Sequence, residues 1–252
     1  MPKIIPFETV SPEEYALLEY VFDAVSKDML LQIAEKSIAT GRKNHQLFIV
    51  SHHSKRYFVK IFHASKHAKW ARRVELGLKD IFSSGAKRCF EGSAMLYRNG
   101  IPTARPIGYF SMASLPWNKK SVAIFEAIED AKELKELYVN HESFFEELFM
   151  SMAECTKKMH DANIRHTDIV LHNFLVKEEC GAQKLYLIDT DKVHYAGLSR
   201  MSYLTKTFFD MHCIRRIEVN EREVVLFLKH YFGKHYTPFW GKVLSFWSKK
   251  SR

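Results

Sequence analysis

The first apolar positions fall on a helical stripe. Ser11, Pro12 and Glu14 read as a helix start: a capping serine, proline in the first turn, and a glutamate that reaches back to the cap. Tyr15, Leu17, Leu18, Val21, Phe22 and Val25 then recur at helical spacing. After Gly41 the period changes. Leu47 to Val50 is a short apolar run, His52 to Lys55 is polar, and Tyr57 to Phe62 is a second run broken by one lysine, which predicts a β-hairpin. Lys66 to Leu96 reads as mostly helical, with an interruption at Ser83-Ser84-Gly85. Asn99-Gly100-Ile101-Pro102 stops it, because Asn-Gly favours a turn and proline disfavours a helical residue before it.

A second hairpin follows, with Arg105 to Met112 and Ser121 to Ile128 as strands and Pro116-Trp117-Asn118-Lys119 as the turn. Asp130 to Asp161 reads as one helical stretch with Phe144, Leu148, Met152, Cys155 and Met159 on its stripe. Leu185 to Ile188 is a short strand, and Leu204 to Tyr231 is helical. Strands with one helical insertion thus fill the first half and helices dominate the second. The expectation is an α+β chain of two lobes, 1–129 and 130–252, with a ligand cleft between them.

Composition narrows the class. With 46% hydrophobic and 27% charged residues over 252 positions, and only 10 Gly and 7 Pro, the chain is globular and neither disordered nor collagen-like. No apolar run approaches the roughly 20 residues that span a bilayer. Cys89, Cys155, Cys180 and Cys213 stand too far apart for a zinc knuckle or a thioredoxin-type pair, so reduced thiols are expected. The N-terminus lacks the basic and apolar segments of a signal peptide, which points to a cytoplasmic, reducing location. The net charge of +9 calls for an acidic partner: nucleic acid, phosphate-bearing metabolites or an anionic membrane surface.

Candidate chemistry concentrates in Met159 to Val176 and Leu185 to Val193. Asp168 is followed by Asn173, and Asp189 ends an apolar run. Phosphoryl transfer needs such a set: one carboxylate to accept the proton of an attacking hydroxyl, and a carboxylate with a carboxamide to hold magnesium against phosphates. It also needs a strand lysine on the phosphates and a helical glutamate to aim it. Lys60, a single charge in Phe58-Val59-Lys60-Ile61-Phe62, and Glu91, on the following helix, fit those parts. The order Lys60, Glu91, Asp168, Asn173, Asp189 is that of a protein-kinase-like fold. Asp191 is either a second magnesium ligand or a turn cap. His166 is expected to orient the loop. Gly41, beside Arg42 and Lys43, is the candidate phosphate-cradling glycine, and the backbone of Glu126 and Ile128 in the segment Phe125 to Glu129 is the candidate adenine site.

Three stretches resemble the bacterial lipopolysaccharide kinase family, which includes Kdo and heptose kinases. They are Glu91 to Pro106 (EGSAMLYRNGIPTARP), His160 to Val176, and Ile188 to Val193 (IDTDKV) with its Asp-x-Asp. Thr167 replaces a common glycine of that family, and Val170 a common histidine. The resemblance implies a two-lobed protein-kinase-like fold, with a small antiparallel-sheet N-lobe, a helix carrying Glu91 and a mainly helical C-lobe. It also implies ATP and Mg2+, with a lipid-anchored Kdo or heptose of the inner core as acceptor.

The segment after Asp189 lacks the Ala-Pro-Glu closing motif of protein-substrate kinases, which favours a compact acceptor. Val224 to Arg252 holds Lys229, Lys234, Lys242, Lys249, Lys250 and Arg252, no acidic residue, and many bulky aromatics. Such a segment suits anionic headgroups on the cytoplasmic face of the inner membrane, or forms a packed helix with a solvated basic end. Nucleic acid and an obligate protein partner are not expected. Two other readings stay open: a kinase of this fold acting on protein or a soluble small molecule, and an inactive kinase-like protein that binds membrane or nucleic acid.

Overall fold

The computed structural model describes residues 4–38, 45–63, 84–112, 120–140, 145–197, 207, 210, 212–214, 217 and 219–242. The chain forms two compact units, Met1–Ala94 with Ala104–Glu129, and Met95–Thr103 with Asp130–Arg252.

The first unit runs β1 (Ile4–Pro6), α1 (Pro12–Ser26), α2 (Leu30–Ile33), β2 (Ala34–Ile38), β3 (His45–His52), β4 (Lys55–His63), α3 (Gly85–Arg98), β5 (Pro106–Met112) and β6 (Lys120–Glu126). Its six strands form an antiparallel sheet in the order β1-β5-β6-β4-β3-β2. Alternation along β4 gives the sheet two faces. Tyr57, Val59 and Ile61 join Leu17, Leu18, Val21 and Val25 of α1 in one core. Phe62, with Ala123 and Phe125 of β6, packs on Ala86 and Cys89 of α3. The start of α1 is as expected: Ser11 Oγ accepts from the Glu14 N–H at 3.2 Å, and the Glu14 carboxylate accepts from the Ser11 N–H at 3.1 Å.

Both expected strand pairs form, β3 with β4 (Leu47↔Lys60) and β5 with β6 (Tyr109↔Ala123), while the turn expected at Pro116-Trp117-Asn118-Lys119 lies outside the described residues. Two strands, β1 and β2, were not expected. Positions 64–83 lie outside the described residues, so of the Lys66–Leu96 expectation only α3 is seen. It ends as the Asn99-Gly100 signal requires. Gly100 takes φ +62°, its N–H donates to Tyr97 O, and the Ile101 N–H donates to Leu96 O, a Schellman closure.

The second unit holds β7 (Lys132–Glu133), α4 (Leu134–Val139), α5 (Phe145–Asp161), β8 (Ile164–His166), β9 (Phe174–Glu179), β10 (Ala182–Leu187), β11 (Val193–Tyr195) and α6 (Glu221–Phe232). The single helix expected over Asp130–Asp161 is broken. Lys132 and Glu133 pair with Val176 and Leu175 of β9, and the Asn140 N–H closes α4 on Glu136 O. Of the helix expected over Leu204–Tyr231, α6 is a separate element. Asn220 caps it, with Glu223 reaching back. The strand expected at Leu185–Ile188 is the end of β10, hairpin partner of β9.

One core, including Phe149, Met152, Met159, Phe174, Leu187, Phe227 and Trp240, unites the unit's helices and strands. Among the described residues no helix is long and apolar enough to cross a membrane. Among the described residues none of the four cysteines forms a disulfide.

Candidate active site

The second unit gathers Asp168, Asn173, Asp189 and His166 through backbone register. In β9–β10, Phe174 pairs with Leu187, so the hairpin returns the chain to its start. The Ile188 N–H donates to Asn173 O at 2.8 Å, and Asp189 follows directly. The antiparallel pair β8–β11 sets His166 opposite Val193, which brings the loop after His166 beside the turn Thr190–Lys192.

The strand entering Asp189 is held from its other side by the Gly-Ile-Pro-Thr segment. The Leu187 N–H donates to Pro102 O at 2.9 Å, and Thr103 Oγ1 donates to Leu187 O at 2.7 Å. That is the local reason for Ile101-Pro102-Thr103: Ile101 enters the core while its neighbours hydrogen-bond the strand.

Asp168 is buried, and its backbone is fixed at both ends. Its N–H donates to His166 Nδ1 at 3.1 Å, and its C=O accepts from Asn173 Nδ2 at 2.8 Å. Because Nδ1 accepts, His166 carries its proton on Nε2, which donates to Asp189 O at 3.2 Å. Burial lowers the His166 pKa to about 4, so the ring is neutral near pH 7 and acts as a strut between two loops.

Asp189 adopts φ 57°, ψ 52°. This left-handed conformation is uncommon outside glycine; Asp and Asn tolerate it better than other residues. Asp191 lies half-buried in the turn Thr190–Lys192.

One neighbour of Asp168 was absent from the sequence reading. Lys192 Nζ forms an ion pair with Asp168 Oδ2. The signal for it in the sequence is the lysine directly after the Asp-x-Asp pair, Asp189-Thr190-Asp191-Lys192.

Beneath this loop lies a second unexpected group. Arg165, fully buried, donates to His160 O at 2.8 Å and pairs with Asp210 at 2.5 Å. Tyr231 Oη donates to Asp210 at 3.1 Å and lies 2.6 Å from His160 Nδ1. Burial, then the Asp210 charge, raise the Tyr231 pKa well above its ordinary value.

In the first unit, Lys60 is buried in the sheet interior with its ammonium 5.2 Å from the Phe62 ring centroid. The expected Lys60–Glu91 ion pair is not formed. Glu91 is half-exposed and pairs with Lys87 at 3.7 Å. The helical phase explains this: Glu91 lies about 140° around the axis from Ala86, which faces the sheet.

Glu126 is tied to Arg105, its carboxylate accepting from Nε at 2.8 Å and its N–H donating to Arg105 O at 2.9 Å. Arg105 also pairs with buried Glu14. Ile128 is half-buried. Gly41, Arg42 and Lys43 lie outside the described residues.

The donor chemistry of the second unit fits magnesium. Asn173 spends its amide N–H on Asp168 O, leaving Oδ1 as a hard oxygen, and Asp189 adds a carboxylate. Magnesium prefers few oxygen ligands, with water and phosphate completing its shell. Among the described residues no three His, Cys, Asp or Glu side chains converge as a denser metal cage.

The chain is 33% identical over 98 residues to a 3-deoxy-D-manno-octulosonic acid kinase of Mannheimia succiniciproducens, and 32% identical over 98 residues to that of Haemophilus influenzae. Each alignment covers 38% of this chain and 40% of the relative, so the chain spans well under half the length of the curated relatives it matches. A solved structure described as WaaP in complex with acyl carrier protein superposes with a TM-score of 0.61 at 15% identity, covering 99% of this chain and 97% of that one. That likeness shows a shared α+β, protein-kinase-like fold. The model of the lipopolysaccharide kinase (Kdo/WaaP) family matches residues 36–231, from β2 to the last turn of α6. With most of its length under that one model, the chain belongs to the lipopolysaccharide kinase (Kdo/WaaP) family.

Proposed function

We propose that the chain is an ATP- and magnesium-dependent kinase that phosphorylates a hydroxyl of the Kdo sugar in the lipopolysaccharide inner core. The observation that carries this reading is the connected set Asp168–His166–Asp189–Asn173, in which each loop backbone is hydrogen-bonded to another. Kdo is preferred to heptose because the two named relatives are Kdo kinases.

Asp168 accepts the proton of the sugar hydroxyl as its oxygen bonds to the γ-phosphorus. The bond from that phosphorus to the β,γ-bridging oxygen breaks, and the electron pair leaves with ADP. Asn173 and Asp189 hold the metal, with Asp191 as the candidate for a second one. Bound magnesium supplies positive charge against the phosphate oxygens. Lys60 binds nucleotide phosphates in the first unit, and the backbone of Glu126 and Ile128 binds adenine. Glu91, turned from the sheet by its helical phase and paired with Lys87, is not assigned the aiming of Lys60. Gly41 remains the candidate glycine of the phosphate loop.

The acceptor is lipid-linked, and the basic aromatic C-terminal segment supports a peripheral place on the cytoplasmic membrane face. Its described part has Phe239 half-exposed beside buried Trp240; positions 243–252 lie outside the described residues.

The test is transfer from labelled ATP to Kdo-bearing lipid A in vesicles with magnesium. Asp168→Asn is expected to lower kcat by about a hundred- to ten-thousand-fold. Transfer to a heptose-bearing core alone would move the acceptor to heptose, and equal turnover by Asp168→Asn would overturn the mechanism.

A further inference from the structure

We propose that Lys192 is a catalytic residue: its ammonium fixes the Asp168 carboxylate and offers its remaining N–H donors to the phosphoryl group in transfer. This rests on the phosphoryl-transfer reading of Asp168 given above.

Three observations support it. The Lys192 ammonium is paired with Asp168 Oδ2, the group assigned to take the hydroxyl proton. The pairing is built into the backbone. Lys192 immediately precedes Val193, the register partner of His166, and Asp168 is two residues beyond His166. The same short turn starts from Asp189, so one segment delivers both a metal-ligand candidate and a cation to the reacting centre.

The third observation comes from sequence. The loop Thr167 to Leu171, which carries Asp168, contains no basic residue. Phosphoryl transfer spreads negative charge over the moving group, and positive groups placed beside that charge supply much of the rate. Lys192 brings a cation from another segment to a loop that lacks one.

A plain surface ion pair explains the arrangement less well. The Asp168 carboxylate is only 8% exposed, whereas the Lys192 side chain is 32% exposed. Loss of the lysine would leave a buried carboxylate short of this partner, so unfolding has to be read beside turnover. Lysine also carries three N–H donors, and one is used on Asp168.

The chemistry is coupled to the proton transfer. As the hydroxyl oxygen bonds to the γ-phosphorus, its proton passes to Asp168 and the carboxylate loses its charge. The Lys192 ammonium, losing its anionic partner, then turns its attraction to the phosphoryl oxygens. Lys192 forms and breaks no covalent bond.

The test measures kcat, the KM for ATP, and thermal unfolding for wild type, Lys192→Met and Lys192→Arg, each also in an Asp168→Asn background. Magnesium-dependent ATP hydrolysis is read alongside, because it needs no sugar. The expected result for Lys192→Met is a loss of about a hundredfold or more in kcat, with the KM for ATP within a few-fold of wild type and the fold retained at the assay temperature. Lys192→Arg, which keeps the charge and tests the site if Lys192→Met fails to fold, is expected to recover at least tenfold of that loss. In the Asp168→Asn background, Lys192→Met is expected to add little, since the two groups act as a unit. A kcat within threefold of wild type for Lys192→Met, a loss confined to the KM for ATP, or losses that multiply fully in the double variant would each overturn the role of Lys192. Wild-type ATP hydrolysis without transfer to the Kdo lipid would overturn the proposed acceptor and leave Lys192 to be judged on hydrolysis.

Discussion

His166 shows how one buried ring sets the loop that carries Asp168. Its two nitrogens engage the backbone of Asp168 and of Asp189, and burial keeps it neutral with a pKa of about 4. An unfolded histidine titrates near 6.5. The folded value is therefore depressed, and the associated stability is fully present above about 6.5. It is lost as pH falls toward 4, because the unfolded chain takes up the proton first. A difference of this size corresponds to about 3 kcal/mol. Urea unfolding midpoints are expected to fall between pH 7 and pH 4.5 more steeply for wild type than for His166→Gln. Equal slopes would remove the ring from the acid sensitivity of the fold.

Among elements, one tightly constrained contact is where β1 pairs with β5. A Cβ at Gly108 would stand 2.9 Å from Ile5 O and from both methyls of Leu18, so the strand, its neighbour and α1 meet without room for a methyl group. Gly108→Ala is expected to cost about 1–3 kcal/mol of stability, read from thermal or urea unfolding. Cost within error of zero would mean that α1 shifts freely on the sheet.

The same elements show what the amino-acid order makes legible. Capping residues and turn pairs act locally, so Ser11 and Glu14 disclose α1, and Asn99-Gly100 discloses the end of α3. Alternation discloses β3 and β4. The break before α4 is not local: Lys132 and Glu133 become β7 only because β9 offers them partners some forty residues later in the chain. At the site, Asp168, Asn173 and Asp189 were legible as types in order, and the hairpin that joins them follows from the register of Phe174 with Leu187. The failed Lys60–Glu91 pair and the unforeseen Lys192–Asp168 pair have one cause. Side-chain direction depends on helical phase and strand register, which composition does not reveal.

In the molecule as a whole, the loop carrying Asp168 stands on a buried charged group drawn from distant segments. Arg165, His160, Asp210 and Tyr231 come from β8, α5, a helical residue near 210, and α6. Truncating one member of a buried ion pair strands the other charge, which costs about 3–5 kcal/mol. Asp210→Ala is therefore expected to lower stability by that amount, seen as a lower urea midpoint. Tyr231→Phe, which removes one hydroxyl, is expected to cost about 1–3 kcal/mol. A larger loss for Tyr231→Phe than for Asp210→Ala would show that the ion pair is not the keystone of the group.

The bend at Asp189 has a consequence for how the proposed activity could be lost. A β-branched or bulky side chain there changes backbone shape and charge together, so its effect on turnover has two sources. Asparagine accepts the same bend and differs from aspartate by one oxygen exchanged for an amide nitrogen. One such substitution would therefore alter the chemistry of the turn and leave its form intact.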